Sequence, residues 1–144
     1  MANISTFMLC GSIEKIDDRN INAVQLISPQ VLLCPPCIPG SFSFGLSAGI
    51  VNLDTTISHD FYFEIVDPNN DVIYKADKQK INGLTSKIAI PIKYQGFMFC
   101  SDIRNLMLKM AGEYIFKVYV DEKEIDNRCF SVYSENILNG NKNI

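Results

Sequence analysis

Cys34 and Cys37, separated by Pro35 and Pro36, are the first candidates for chemistry in this chain. A Cys-x-x-Cys pair can serve as a dithiol redox centre or as half of a zinc site. The redox use places the pair at a helix N-terminus that lowers the thiol pKa, and Pro35, Pro36 and Pro39 forbid a helix here. A structural zinc needs two more ligands, and Cys10, Cys100, Cys129 and His59 stand at no characteristic spacing from the pair. The single histidine, His59, precedes Asp60 at the head of an apolar run and could act as base to a Cys or Ser nucleophile. A lone histidine at a strand end reads instead as a solvated surface residue.

Asp121, Glu122, Glu124 and Asp126 could gather around a calcium ion. They lack the alternating donors and the turn glycine of a calcium loop, and Lys123 interrupts them, so they read as a solvated hairpin tip. Gly40, Gly45 and Gly49 precede no helix and form no phosphate loop. The reading is no catalytic residue, no metal and no cofactor. A small thiol-dependent enzyme or redox protein built on Cys34, Cys37 and His59 is kept as an alternative.

The elements that would position these groups read as strands. From Gly112, residues Tyr114, Phe116, Val118 and Val120 alternate with Ile115, Lys117 and Tyr119, the period of a half-buried strand, and Ile125 to Val132 returns as its hairpin partner. Ile4 to Ile16 and Ile21 to Cys34 are two further strands around a turn at Asp17 to Asn20, with Pro29 marking an edge or bulge. Cys34 to Gly40 is a rigid connector. In Ser41 to Leu53, Phe42, Phe44, Leu46, Ala48 and Ile50 alternate with the small residues Ser41, Ser43, Gly45, Ser47 and Gly49. That small face is either open to solvent or closely covered by another backbone, and its five residues are the candidate interaction surface.

His59 to Val66 is another strand, closed by a turn at Asp67-Pro68-Asn69-Asn70-Asp71, and Val72 to Tyr74 is its short partner. Ile88, Ile90 and Ile92 suggest a strand within Ile81 to Tyr94, with Pro91 on an edge. Ser101 to Met110 fits either period: Ile103, Leu106, Met107 and Met110 have helical spacing, while Leu106, Leu108 and Met110 alternate. Extended structure is favoured.

Seven or eight short strands with turns every ten residues or so predict an all-β fold, a single-domain immunoglobulin-like antiparallel β-sandwich over residues 1–134, with 135–144 a frayed tail. Tyr114, two residues after Gly112, stands where a tyrosine corner would. At 144 residues the chain can bury about two-thirds of its unfolded surface in one domain. A charge of −3 without a Lys/Arg cluster speaks against nucleic acid as partner. The opening residues lack a basic region and a long apolar run, so neither export nor membrane insertion is expected. Five scattered cysteines read as reduced cytoplasmic thiols.

The chain resembles a family of small, uncharacterised bacterial immunoglobulin-like proteins. The resemblance is carried by Phe7-Met8-Leu9-Cys10, Phe42 to Leu46, Val66-Asp67-Pro68-Asn69-Asn70, and Gly112-x-Tyr114-x-Phe116-x-Val118-x-Val120-Asp121 ending in Phe130-x-Val132, with Asn70 and Glu122 where the usual turn glycines would stand. It implies a sandwich fold and a bacterial or phage-related cytoplasmic origin, and it brings no site residues. The functional expectation is a non-enzymatic binding or assembly module that associates with a protein partner or with itself. An accessory subunit or inhibitor in a bacterial immunity or phage conflict system is a further alternative.

Overall fold

Side-chain alternation sorts most of this chain into inward and outward faces. A computed structural model describes residues 1–18, 21–82 and 90–135. Its strands are β1 (Asn3–Asp18), β2 (Ile21–Gln30), β3 (Leu32–Leu33), β4 (Gly40–Val51), β5 (His59–Val66), β6 (Val72–Lys75), β7 (Gln79–Ile81), β8 (Gly96–Leu108), β9 (Gly112–Val120) and β10 (Lys123–Val132). One sheet has the order β2-β1-β4-β8; the other runs β3-β10-β9-β5-β6, with β7 also paired to β5. All pairings are antiparallel except the short one between β3 and β10. The protein is therefore all-β, with two mostly antiparallel sheets.

The inward faces meet in one core. Phe7 on β1 stacks on Phe116 of β9 at 4.8 Å between ring centres, and Phe99 on β8 lies 4.6 Å from Phe61 and 5.7 Å from Phe63, both on β5. Tyr114, Phe116 and Val118 are fully buried while Ile115, Lys117 and Tyr119 are only partly covered, as the alternation of β9 requires. The Tyr114 hydroxyl donates to the Met110 carbonyl at 2.7 Å, tying the start of β9 to the turn before it. Gly112 there has φ +135, a conformation open chiefly to glycine.

Ten strands rather than seven or eight appear among the described residues. One cause lies in Ile21 to Cys34: β2 ends at Gln30, and Leu32 and Leu33 cross to the other sheet, so one expected strand is two. Most of the expected strand from Ile81 to Tyr94, residues 83–89, lies outside the described residues. β7 stops at Ile81, and Ile92–Tyr94 is a single 3₁₀ turn after Pro91 in which no residue is buried. Ile88 lies outside the described residues, as do Arg19 and Asn20 of the first turn and the tail beyond Glu135.

Ser101 to Leu108 is extended as part of β8, with Lys109 and Met110 beyond its end, and the double periodicity has a cause. A bulge shifts the register with β4 between Phe42 and Phe44, and Asn105 opposite has φ 54. The extra residue lets Ile103 and Leu106, three apart, both face the core, with Leu108 following at the ordinary period.

Candidate functional site

The small-residue row on β4 is not a free surface along its length. Ser41 is exposed, Ser43 half-buried, and Gly45, Ser47 and Gly49 buried. A Cβ on Gly45 would meet Cys10 Sγ at 2.7 Å and Ile13 Cγ1 at 2.8 Å, and one on Gly49 would meet Thr6 Oγ1 at 2.7 Å and Ser5 Oγ at 2.8 Å. Side chains of β1 therefore lie on these glycines. The Ser43 hydroxyl accepts from the Asn105 backbone N–H, and the Cys100 thiol stands 3.3 Å from the Ser47 hydroxyl. Three methionines on this outer face remain exposed beside the row. Met8 is paired with Ser47, Met98 with Gly49 and Met107 with Ser41, at 44%, 68% and 48% exposure.

His59 is a correction to the sequence reading, which made it a solvated surface residue. It is 7% exposed, and both ring nitrogens are engaged. Nε2 lies 2.7 Å from the Asp54 carbonyl and Nδ1 2.7 Å from Asp121 Oδ2. A carbonyl and an ionised carboxylate can only accept, so the protonated ring, with a proton on each nitrogen, is the form that satisfies both contacts at once. Burial alone would depress its pKa. The hydrogen bonds to Asp121 and to the Asp54 carbonyl, with the charges of both carboxylates, overcome that and leave it raised. In that form the ring has no free lone pair with which to activate a thiol or hydroxyl.

Asp121 lies at the exposed hairpin tip, as the sequence suggested, but its carboxylate is also engaged with β5. Its Oδ1 accepts from the Asp60 N–H at 3.0 Å, its own N–H donates to the Asp60 carbonyl at 2.9 Å, and its pKa is lowered, first by the bond to His59. Asp121 and Glu122 form a two-residue hairpin turn with φ 52 and 68. Both central residues are thus in the left-handed region, as a type I′ turn demands. Asp126 accepts from the Ile4 N–H at 2.8 Å and from Arg128 at 3.1 Å, while Arg128 donates to the Ile4 carbonyl at 2.7 Å. This pair fastens β10 to β1 across the two sheets. Glu122 pairs with Lys78, and Glu124 lies 3.6 Å from Lys117. The four carboxylates therefore have separate partners and do not converge on one point.

Cys34 and Cys37 sit in the connector between β3 and β4, the first half-buried and the second exposed, and all five cysteines are free thiols. Cys34 borders a shallow cleft with Pro29, Val31, Phe42 and Glu135. The two thiols and His59 are not brought together as a site: the imidazole is taken up by Asp54 and Asp121. Among the described residues no group of three or more His, Cys, Asp or Glu side chains is placed to hold a metal ion, and no helix is long and apolar enough to cross a membrane.

Sequence reasoning missed the part played by Asp121 and Asp54 at His59, and the position of Ile13. Pairing of β5 with β9 puts Phe61 opposite Val120, which brings the head of β5 to the hairpin tip. That partnership is set by sheet order and has no local signal. The chain matches no protein family and no curated protein.

Proposed function

We propose that this protein is a non-enzymatic binding or assembly module that works through protein contacts made by the outer face of its four-stranded sheet. The observation that carries this reading is the trio Met8, Met98 and Met107, exposed beside the small-residue row. Met8 and Met98, opposite Ser47 and Gly49, form an adaptable apolar patch at one end of the row, and Met107, opposite Ser41, adds an exposed thioether at the other end. The end of the row at Ser41 is accessible, and Met98 flanks a cleft of about 430 Å³ whose walls include Val24 and Leu26.

The scaffold is best read as an immunoglobulin-like sandwich. Support comes from the sheet orders β1-β4-β8 and β3-β10-β9-β5-β6, the parallel pairing of β3 with β10, and the tyrosine corner at Tyr114. The bacterial part of the reading rests on the resemblance described above, and the cytoplasmic part on scattered cysteines without a disulfide framework.

Light scattering across a concentration series, together with capture from a lysate of the native host, tests the proposal on wild type, Met98→Asp and Met107→Asp. Self-association or a captured partner should be lost in both variants while their unfolding midpoints stay near that of wild type. A chain that is monomeric throughout and retains nothing, or variants that associate as wild type does, would overturn it.

A further inference from the structure

Leu9 and Ile13 have the same parity in β1, yet they lie on opposite faces of the four-stranded sheet. Leu9 is in the core, paired with Leu46, whereas Ile13 sits outside against Gly45. A straight strand cannot do both. The chain therefore bends between them, at Gly11. On β2 the residue level with Gly11 is Ser28, between the paired residues Ile27 and Pro29, and its φ is 54. Both strands change direction at one rung.

Beyond that rung the hairpin turns Ile13, Lys15, Val24 and Leu26 toward Ser47, Met98 and Cys100 across the cleft of about 430 Å³. The arm covers the sheet without being built into it. No described residue from Ser12 to Gln30 belongs to the core cluster or packs against it, and Ile16 and Val24 are 46% and 42% exposed. Beneath the arm, beside Gly45, Cys10 is completely buried.

We propose that the described strand segments 12–18 and 21–27 of the β1–β2 hairpin form a hinged strap, opening as a unit at Gly11 and Ser28 while the two-sheet core stays folded, and so uncovering the outer face around Gly45 and Ser47. Its role as a gate rests on the reading of that face as the contact surface; the opening does not, and it is measured without a partner. Among the described residues, lifting the arm gives up the seat of Ile13 and its neighbours, whereas unfolding the sandwich gives up the whole inter-sheet core.

Cys10 reports the opening. In protein carrying Cys34→Ser, Cys37→Ser, Cys100→Ser and Cys129→Ser, thiol labelling of Cys10 should outpace global unfolding, and its rate should barely respond to low urea, because little surface is exposed. Ile13→Ala should speed labelling about tenfold while moving the global midpoint little. Gly11→Ala, whose added methyl meets neighbours at an ordinary 3.5 Å, should slow it about two- to fivefold by stiffening the hinge. Hydrogen exchange on the wild-type chain gives an independent reading: amides of Ser12–Asp18 and Ile21–Ile27 should exchange ahead of those in β4 and β9. Labelling that follows the urea dependence of global unfolding, no effect of Ile13→Ala, or exchange of the arm in step with the core would each overturn the strap. None of these results touches the Met98 and Met107 comparison, so the two proposals fail separately.

Discussion

Asp121→Asn should weaken the fold most in mildly acidic solution and least in alkali. The carboxylate accepts from His59 Nδ1 at 2.7 Å and from the Asp60 N–H at 3.0 Å. An amide in its place keeps an acceptor for Asp60 but removes the charge opposite the imidazolium. A hydrogen bond to a charged partner contributes about 1.5 to 3 kcal/mol net. Asp121 is 55% exposed, so solvent screening brings the expected loss down to about 1 to 2 kcal/mol. For a chain of this size that is a fall of about 3 to 8 °C in the unfolding midpoint.

The pH dependence follows from two shifts of opposite sense. The folded pKa of His59 is raised above its unfolded value of about 6.5. Its stabilisation is complete below that value and is lost as pH rises through the folded pKa. The folded pKa of Asp121 is lowered from an unfolded value of about 3.9. Its stabilisation is present above that value and is lost as pH falls through the folded pKa. The deficit of the variant should therefore be widest between about pH 4.5 and 6 and shrink on either side. Urea melts of both proteins across this range and up to about pH 9 measure it. A deficit that is flat with pH, or that grows toward alkali, refutes the pairing of His59 with Asp121, as does an NMR titration of His59 with a midpoint at or below about 6.5.

Phe116→Ala should cost about 3 to 5 kcal/mol in urea melts, since the ring is fully buried and touches Phe7, Phe63 and Phe99, whereas Lys117→Ala should cost under about 1 kcal/mol. The reverse order would mean that the β9 register is off by one residue. Replacing both Cys34 and Cys37 by Ser should leave the thermal midpoint within about 2 °C and purified protein without stoichiometric zinc by atomic emission; bound metal or a fall above about 8 °C would contradict the connector reading. Glu122→Gly should stabilise the protein by up to about 1 kcal/mol in thermal melts, because glycine holds the φ of 68 without the steric penalty that Glu bears there. Destabilisation by that change would show that the pairing with Lys78 outweighs the turn.

Local pattern carried much of the fold. The alternation of β9 from Gly112 and the run from His59 to Val66 appear in the structure with their expected faces, and Asn70 takes the positive φ expected of that turn. What could not be read was set by partners far along the chain. His59 is defined by Asp121, sixty-two positions away, and a histidine that looked solvated is buried because β5 pairs with β9. The carboxylates read as one solvated tip divide between the exposed turn and β10, so Asp121 in the turn reaches β5 while Asp126 on β10 reaches β1.

The remaining misreadings share a cause, which is that parity holds only while a strand stays regular. One extra residue near Asn105 returns Leu106 to the face of Ile103 and produces apparent helical spacing in a strand. A bend at Gly11 moves Ile13 to the face opposite Leu9, and with it the cover over Gly45. The sequence marks both places weakly, with an asparagine able to take positive φ and a glycine between apolar residues of one parity. On the outer face, the same bend determines which part of the small-residue row is open: Ser41 lies clear beside Met107, whereas Gly45 and Ser47 lie under the chain's own hairpin. A partner that needs only the open end would bind whether or not the arm moves, and one that needs the whole row would bind no faster than the arm lifts.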